Sequence, residues 1–330
     1  MIHTPVCDLL GIDVPIVLGG MGTGTSPALV AAVCEAGGMG TQGLWSAPLA
    51  EIPKILGEIR RLTARPFAVN FLLFLIKEDT FAAALAEKPA VVAFAWPRGD
   101  QDLRPWIDKA QAAGAKVMFQ CHEVPLALRA KAAGADVIVA QGSEGGGHVG
   151  WMGTLPLVPM MVDAVSPLPV LAAGGIADGR GVAAALALGA QGALIGTRFL
   201  ATPESPIPPA FKDAIVASDG HDTVLSEVPD IAQGQVWPGA MARSLRNRFI
   251  DKWAGREWAL RQQQAEAKAE VVAARLAGDV ENGVLFFGQD AGLIPSIRPA
   301  GELVRQMAEE ATRILGGGLA QPAVAKKSRR

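Results

Sequence analysis

Residues 169–199 read PVLAAGGIADGRGVAAALALGAQGALIGTRF, and this stretch decides the fold. It contains an apolar run, a Gly-Gly turn, an Ala-rich segment of helical character and a second apolar run that ends in Gly-Thr-Arg. Gly189 stands just before the second run, where the end of a helix favours a residue with positive φ. This order predicts a β-α-β unit with two parallel strands.

The same unit repeats through residues 1–199. The runs are apolar throughout rather than alternating, which is typical of a parallel sheet covered by helices. Eight such strands close a (β/α)8 barrel, the α/β fold that we predict. A doubly wound sheet is the alternative, but residues 19–24, GGMGTG, lack the GxGxxG spacing of its dinucleotide site. The predicted strands are Pro15–Gly20, Met39–Gly43, Pro66–Leu73, Val91–Trp96, Lys116–Cys121, Asp136–Gly142, Pro169–Gly175 and Gly192–Phe199.

The sequence changes character after Phe199, first with several prolines and then with a segment rich in charged and amide side chains. We therefore predict a barrel formed by residues 1–212 and 284–316 and interrupted by a small helical subdomain, residues 213–283, on the substrate side. An amphipathic helix over residues 301–315 would close the barrel. Residues 317–330 are expected to form a disordered basic tail.

Composition excludes several classes of protein. The 30 Lys and Arg against 32 Asp and Glu leave a net charge of −2, so no basic surplus favours binding to nucleic acid. Glycines and prolines break the uncharged stretch at residues 14–34, which argues against a membrane span. The N-terminus lacks an export signal, so we expect a cytoplasmic protein. Three cysteines without a CxxC pair indicate reduced thiols.

Two glycine-rich turns follow the last two predicted strands, at residues 173–175 and 196–197. In a barrel of this kind the site lies at the carboxyl ends of the strands, and the turns after strands seven and eight often bind phosphate. Glycine lets a phosphate approach backbone N–H groups and the start of a helix. The turns therefore predict a phosphorylated ligand, although each alone could be an ordinary tight turn.

His148 is the candidate catalytic base, because it is the one histidine placed in a Gly-rich segment directly after a strand. A neutral imidazole can remove a proton from carbon or oxygen. A structural histidine bonded to the backbone is the alternative. His122 follows Cys121, but neighbouring strand residues point to opposite faces, so a catalytic Cys–His pair is not expected. The His, Cys, Asp and Glu residues show no metal-ligand spacing.

Three amide side chains, Asn70, Gln120 and Gln141, stand at predicted strand ends among aliphatic residues. Buried amides need partners that offer both donors and acceptors, as the pyrimidine-like edge of a flavin does. Each could instead bond to a neighbouring loop.

Five motifs in these loops resemble those of the nitronate monooxygenases, also called 2-nitropropane dioxygenases. They are PIVLGGMG at 15–22, FAVN at 67–70, QGSEGGGH at 141–148, AGGIADGRG at 173–181 and GTRF at 196–199. The resemblance covers nearly all of residues 5–316 and implies an FMN-dependent barrel, with the phosphate on the last two turns and His148 over the flavin ring. The cofactor-binding residues it implies are Gly20, Met21, Gly22, Asn70, Gln120, Gln141, Gly146, Ala173, Gly174, Gly175, Gly196 and Thr197.

The reaction implied is oxidation of alkyl nitronates with O2 to carbonyl compounds and nitrite, with His148 as the base for neutral nitroalkanes. The chain is also similar to a flavin enoyl-acyl carrier protein reductase, which shares the Gly-Gly-His loop and residues 288–294, GQDAGLI. NAD(P)H-dependent reduction of an enoyl thioester or a quinone is therefore the alternative. A non-catalytic barrel that binds a phosphorylated metabolite is a third. Gln120 and Gln141 replace the Lys and Asp of some family members, which leaves the charge around the flavin open.

Overall fold

The computed structural model describes residues 1–318. The strands are β1 (Ile16–Leu18), β2 (Gly40–Gly43), β3 (Phe67–Leu72), β4 (Val91–Ala95), β5 (Lys116–Cys121), β6 (Val137–Gln141), β7 (Gly147–Val149), β8 (Val170–Ala173), β9 (Gly192–Ile195), β10 (Thr223–Ser226) and β11 (Met241–Leu245). The helices are α1 (Pro5–Leu10), α2 (Pro27–Glu35), α3 (Ile52–Leu62), α4 (Glu78–Ala86), α5 (Arg104–Ala112), α6 (Val124–Ala133), α7 (Thr154–Val165), α8 (Gly179–Ala187), α9 (Thr197–Leu200), α10 (Pro209–Ala217), α11 (Val228–Gln233), α12 (Arg248–Trp253), α13 (Glu257–Gln262), α14 (Gln264–Ala277) and α15 (Ala300–Leu315).

Eight parallel strands form the barrel in the order β1-β9-β8-β6-β5-β4-β3-β2. A bridge between Val17 and Met39 joins β1 to β2, with Leu18 N donating to Met39 O at 2.8 Å. The predicted (β/α)8 barrel and its eight strands are confirmed, and β8 and β9 are the seventh and eighth barrel strands. The eighth strand is shorter than predicted, because the chain turns at Gly196 and α9 begins at Thr197.

Both faces of each barrel strand are buried, which explains the absence of hydrophobic alternation. In β1, Ile16 and Leu18 pack outward against the helices, whereas Val17 packs inside the barrel. The interior also includes Met118, Val139 and other small and medium apolar side chains. Helix α1 closes the amino end of the barrel by packing residues 6, 7 and 10 into this inner cluster.

A second sheet of three antiparallel strands, in the order β10-β11-β7, lies outside the barrel. Strands β10 and β11 of this sheet belong to the segment 213–283, which the sequence predicts as a small helical subdomain. The sequence of β11, MARSL, hid the strand: Arg243 and Ser244 are polar but buried. Helices α11–α14 pack around their own apolar cluster, which includes Val228, Phe249 and Leu260. The predicted boundary at residue 212 falls within α10.

The chain returns from this subdomain along residues 284–287, where Leu245 N donates to Leu285 O at 2.9 Å. A short 3-10 turn, Gln289–Leu293, follows, and α15 then packs its apolar face into the outer core beside α2 and α8. The predicted closing helix is thus confirmed. Of the predicted tail, residues 319–330 lie outside the described residues. Along residues 1–318, no helix combines the length and apolar composition that crossing a membrane requires.

Candidate active site

A cavity of about 450 Å³ lies at the carboxyl ends of the barrel strands, between the barrel and the subdomain. It brings together His148 and all but one of the predicted cofactor-binding residues. Gly22 is the exception: it lies behind the wall, with φ +55°, and a Cβ there would overlap the indole nitrogen of Trp45. Trp45 itself lines the cavity, so Gly22 allows the side chain of Trp45 to reach it.

His148 lies on β7 rather than in a loop, opposite Ala242 of β11. Its Nε2 is 2.7 Å from Asp230 Oδ1, and both side chains are about nine-tenths buried. A carboxylate can only accept, so the neutral ring carries its hydrogen on Nε2 and leaves Nδ1 as the basic nitrogen. The pair has the arrangement of a base oriented by an acid.

An aromatic wall covers His148. The ring of Trp237 stacks on the imidazole with centroids 3.3 Å apart and planes 9° apart, and Trp237 also contacts Phe74 at 4.8 Å. Trp96 meets Trp237 edge-on and has φ +53°, a conformation that is rare for a bulky residue and is found at functional sites. This wall makes the side of the cavity near His148 apolar.

His122 is a structural residue behind that wall. Its ring stacks on Trp96 at 4.5 Å, and burial lowers its pKa. The neighbouring Cys121 is fully buried, and burial raises the pKa of its thiol well above the ordinary value. A thiol that is buried and hard to ionise is a poor nucleophile. Across residues 1–318, no group of three or more His, Cys, Asp or Glu side chains could hold a metal ion.

The turn after β8 has the geometry that glycine allows. Gly174 and Gly175 have φ of +95° and +75°, and within residues 1–318 no oxygen accepts from the N–H of Gly175. The start of α8 is not free, however. Asp178 accepts from Arg180 N at 3.0 Å, and Glu310 accepts from Gly179 N at 2.9 Å. The sequence predicts that the start of this helix helps to bind an anion, but two carboxylates already occupy it. Only the glycine turn after β8 remains available to an anion.

The three predicted amides meet at the cavity. Gln120 Nε2 donates to Gln141 Oε1 at 2.9 Å, and Asn70 Nδ2 donates to Ala93 O at 3.2 Å. The buried Oδ1 of Asn70 has no partner. A Cβ at Gly20 would overlap the side chain of Asn70. Oδ1 of Asn70 and Oε1 of Gln120 can still accept hydrogen bonds, and Nε2 of Gln141 can still donate one. These three atoms suit a ligand edge that carries both donors and acceptors.

Asp290 is a further cavity residue, and it is only 5% exposed. Burial raises the pKa of its carboxyl group to about 7, although the nearby positive charge of Arg198 acts in the opposite direction. The same burial lowers the pKa of Arg198 to about 10. The cavity therefore contains a buried carboxyl group that keeps its proton to a higher pH than an exposed aspartate does.

Sequence reasoning missed Asp230, Trp237 and Asp290 as site residues. Asp230 and Trp237 come from the subdomain, and no spacing in the sequence relates them to His148. Asp290 lies in GQDAG, residues 288–292, a motif that the resemblance already included. The position of Asp290 shortly after the apolar residues 284–287 is the sequence feature that could have identified it as a site residue.

A closed (β/α)8 barrel with a His–Asp pair and glycine turns at its carboxyl rim defines a barrel enzyme. The nitronate monooxygenase family model matches residues 3–94 and 79–310, and the chain belongs to this family. It is an oxidoreductase. It is 33% identical over 354 residues to a nitronate monooxygenase of Paraburkholderia phytofirmans, with 92% of this chain and 93% of the relative covered.

Two of the solved structures that share the fold are covered over nearly their full length. FabK from Thermotoga maritima superposes with a TM-score of 0.85 at 36% identity, covering 96% of this chain and 98% of that one. A nitroalkane oxidase from Streptomyces ansochromogenes gives a TM-score of 0.82 at 30% identity, covering 94% and 99%. The resemblance inferred from the motifs is confirmed.

Proposed function

We propose that the protein is an FMN-dependent nitronate monooxygenase that converts small alkyl nitronates and O2 to carbonyl compounds and nitrite. The observation that carries this proposal is the His148–Asp230 pair, 2.7 Å apart, at a cavity bounded by the two glycine turns. The names of the relatives from P. phytofirmans and S. ansochromogenes support the same substrate class.

The residues present fit FMN in two respects. The free N–H of Gly175 and the positive φ of Gly174 and Gly175 suit a phosphate that lies against the backbone. The unpartnered Oδ1 of Asn70 needs a donor, which the edge of a flavin ring offers. Gly196, Thr197 and Gly175 would hold the phosphate, and the three amides would contact the ring.

When bound, FMN would accept electrons from the substrate and pass them to O2. His148 would take the carbon-bound proton of a neutral nitroalkane on Nδ1. Asp230 would hold the ring in this tautomer and stabilise the resulting imidazolium, which makes Asp230 a positioning residue. A nitronate has already lost that proton, so His148 would serve it only as a hydrogen-bonding partner.

The apolar wall of Trp96 and Trp237 would exclude water and bind the alkyl part of the substrate. A cavity of about 450 Å³ that also holds a cofactor favours a small substrate.

The proposal is tested by measuring oxygen uptake and nitrite release with propyl-2-nitronate in air. We expect both from the wild-type protein. NADH or NADPH consumption with a quinone or an enoyl thioester, without nitrite from the nitronate, would support the reductase alternative. No turnover with any of these substrates would support a barrel that only binds a phosphorylated metabolite.

A further inference from the structure

Trp237 covers one face of the His148 ring. The indole and imidazole planes are 9° from parallel, and the ring centroids are only 3.3 Å apart. A ligand atom placed between two stacked rings needs about 3.5 Å on each side, or roughly 7 Å between the rings. No part of a substrate can therefore contact this face of the imidazole while Trp237 is in place.

The other approaches to His148 are also restricted. Asp230 occupies the Nε2 edge of the ring, at 2.7 Å. The ring of Phe286 is tilted by 47° with its centroid 5.6 Å away, so it packs less closely than Trp237 does. Within residues 1–318, Nδ1 has no hydrogen-bond partner, and His148 lines the cavity. A substrate therefore meets the imidazole at its Nδ1 edge.

The indole limits the space beside that edge. A carbon atom at Nδ1 carries substituents that extend out of the plane of the imidazole, and on one side of this plane they meet Trp237. The indole is larger than the imidazole and nearly parallel to it, so it fills the volume in which a large substituent would lie. Trp237 itself lines the cavity, and the volume that it fills is therefore next to the substrate.

Aromatic neighbours surround the indole. Its centroid is 4.8 Å from that of Phe74 and 6.0 Å from that of Trp96, which it meets edge-on. These rings belong to a buried apolar cluster that also contains Leu72. Removal of the indole would leave a recess between His148, Phe74 and Trp96 that opens to the cavity. Because aromatic rings pack well against one another, this recess would suit a phenyl group.

From this stack we propose that Trp237 determines the substrate specificity of the site. It admits small alkyl groups on the reacting carbon and excludes an aromatic ring, because the indole occupies the place that such a ring would take against His148. This inference rests on the proposed function and specifies its substrate class. Trp237 and Asp230 both come from the subdomain, which therefore orients the base and also limits the substrate.

The test compares propyl-2-nitronate with 1-phenylethyl nitronate, in which a phenyl group replaces one methyl group. Both have already lost the proton, so the ratio of their kcat/KM values for nitrite release reports how the substituent fits. The intrinsic reactivities of the two substrates are the same for every variant and cancel when ratios are compared. Trp237→Ala should raise the ratio in favour of the phenyl substrate by roughly 10- to 200-fold, and Trp237→Phe should give a smaller shift in the same direction.

Two controls distinguish a specific recess from a general loosening of the site. Trp258→Ala removes an exposed indole from α13 of the same subdomain and should keep the wild-type ratio. Free indole added to Trp237→Ala should enter the recess and return the ratio toward the wild-type value, because an empty apolar cavity binds aromatic molecules that fit it. Calorimetric titration should show indole binding to the Trp237→Ala holoenzyme and not to the wild type.

An unchanged ratio in a folded, FMN-loaded Trp237→Ala protein would overturn the inference and leave the proposed function standing. So would an equal shift in Trp258→Ala. If Trp237→Ala does not fold, Trp237→Phe decides the question, since the smaller ring should still favour the phenyl substrate relative to the wild type. A wild-type protein that releases nitrite from neither nitronate would overturn the proposed function and this inference together.

Discussion

His148 and Asp230 are 82 positions apart in the chain, yet His148 Nε2 lies 2.7 Å from Asp230 Oδ1. The imidazole comes from β7, directly after a barrel strand, and the carboxylate comes from α11 in the subdomain. The base is therefore oriented only when the subdomain is docked on the barrel through the sheet that β7 forms with β11.

Asp230→Asn should lower turnover of a neutral nitroalkane by roughly 10²-fold, because the amide cannot stabilise the imidazolium as a carboxylate does. FMN content should stay unchanged. Steady-state nitrite release measures the effect. Asp251→Asn, an exposed carboxylate of α12 paired with Arg246, is the matched control and should be neutral. Full activity of a folded, FMN-loaded Asp230→Asn protein would show that the pair is not catalytic.

His148→Asn should keep the shape and the FMN content of the site but remove the proton acceptor. Turnover of a neutral nitroalkane should fall roughly 10²–10⁴-fold, and oxidation of the corresponding nitronate should fall much less. Parallel oxygen-electrode assays of the two substrates give the contrast. Equal and small losses on both would contradict the assignment of His148 as the base.

Gly175→Asp should weaken FMN binding severely, because it adds a negative charge to the turn after β8, where we propose that the phosphate binds. It also places a residue with a side chain at a φ of +75°, where such residues are strained. Gly175→Ala carries the strain, on the order of 1 kcal/mol, without the charge, so it should weaken binding much less. Equilibrium dialysis of FMN against both variants separates the two effects. Unchanged occupancy in Gly175→Asp would remove this turn from the cofactor site.

Asp290 should make the stability of the FMN-free protein depend on pH. Folding raises the pKa of this carboxyl group to about 7, so the folded state holds the proton more tightly than the unfolded state does. Its contribution to stability is complete below the unfolded pKa of about 4 and is lost as pH rises through about 7. Urea unfolding gives the free energy of unfolding of the wild type and of Asp290→Asn at pH 5 and pH 8. The variant should gain more stability relative to the wild type at pH 8 than at pH 5. An equal difference at both pH values would contradict this account.

The barrel was predictable because its determinants are local. Strands such as Val170–Ala173 are apolar on both faces, and glycines with positive φ, such as Gly134 and Gly189, follow the ends of α6 and α8. The placement of Asn70, Gln120 and Gln141 followed from the rule that barrel loops meet at one rim.

The rest depends on contacts that no local pattern encodes. Strand β11 contains the polar but buried Arg243, which a tertiary partner accommodates: Arg243 Nε donates to Ser143 O at 3.0 Å. The first N–H group of α8 is occupied because it donates to Glu310, a residue of the last helix. Asp230 could be related to His148 only once the pairing of β7 with β11 was known.

Electron transfer from an alkyl nitronate to FMN in this cavity can be measured by mixing the purified oxidised protein anaerobically with propyl-2-nitronate, NADH or NADPH and following the flavin absorbance. We expect the nitronate to bleach the flavin rapidly and neither nicotinamide to do so. Rapid bleaching by NADH or NADPH with no response to the nitronate would contradict it.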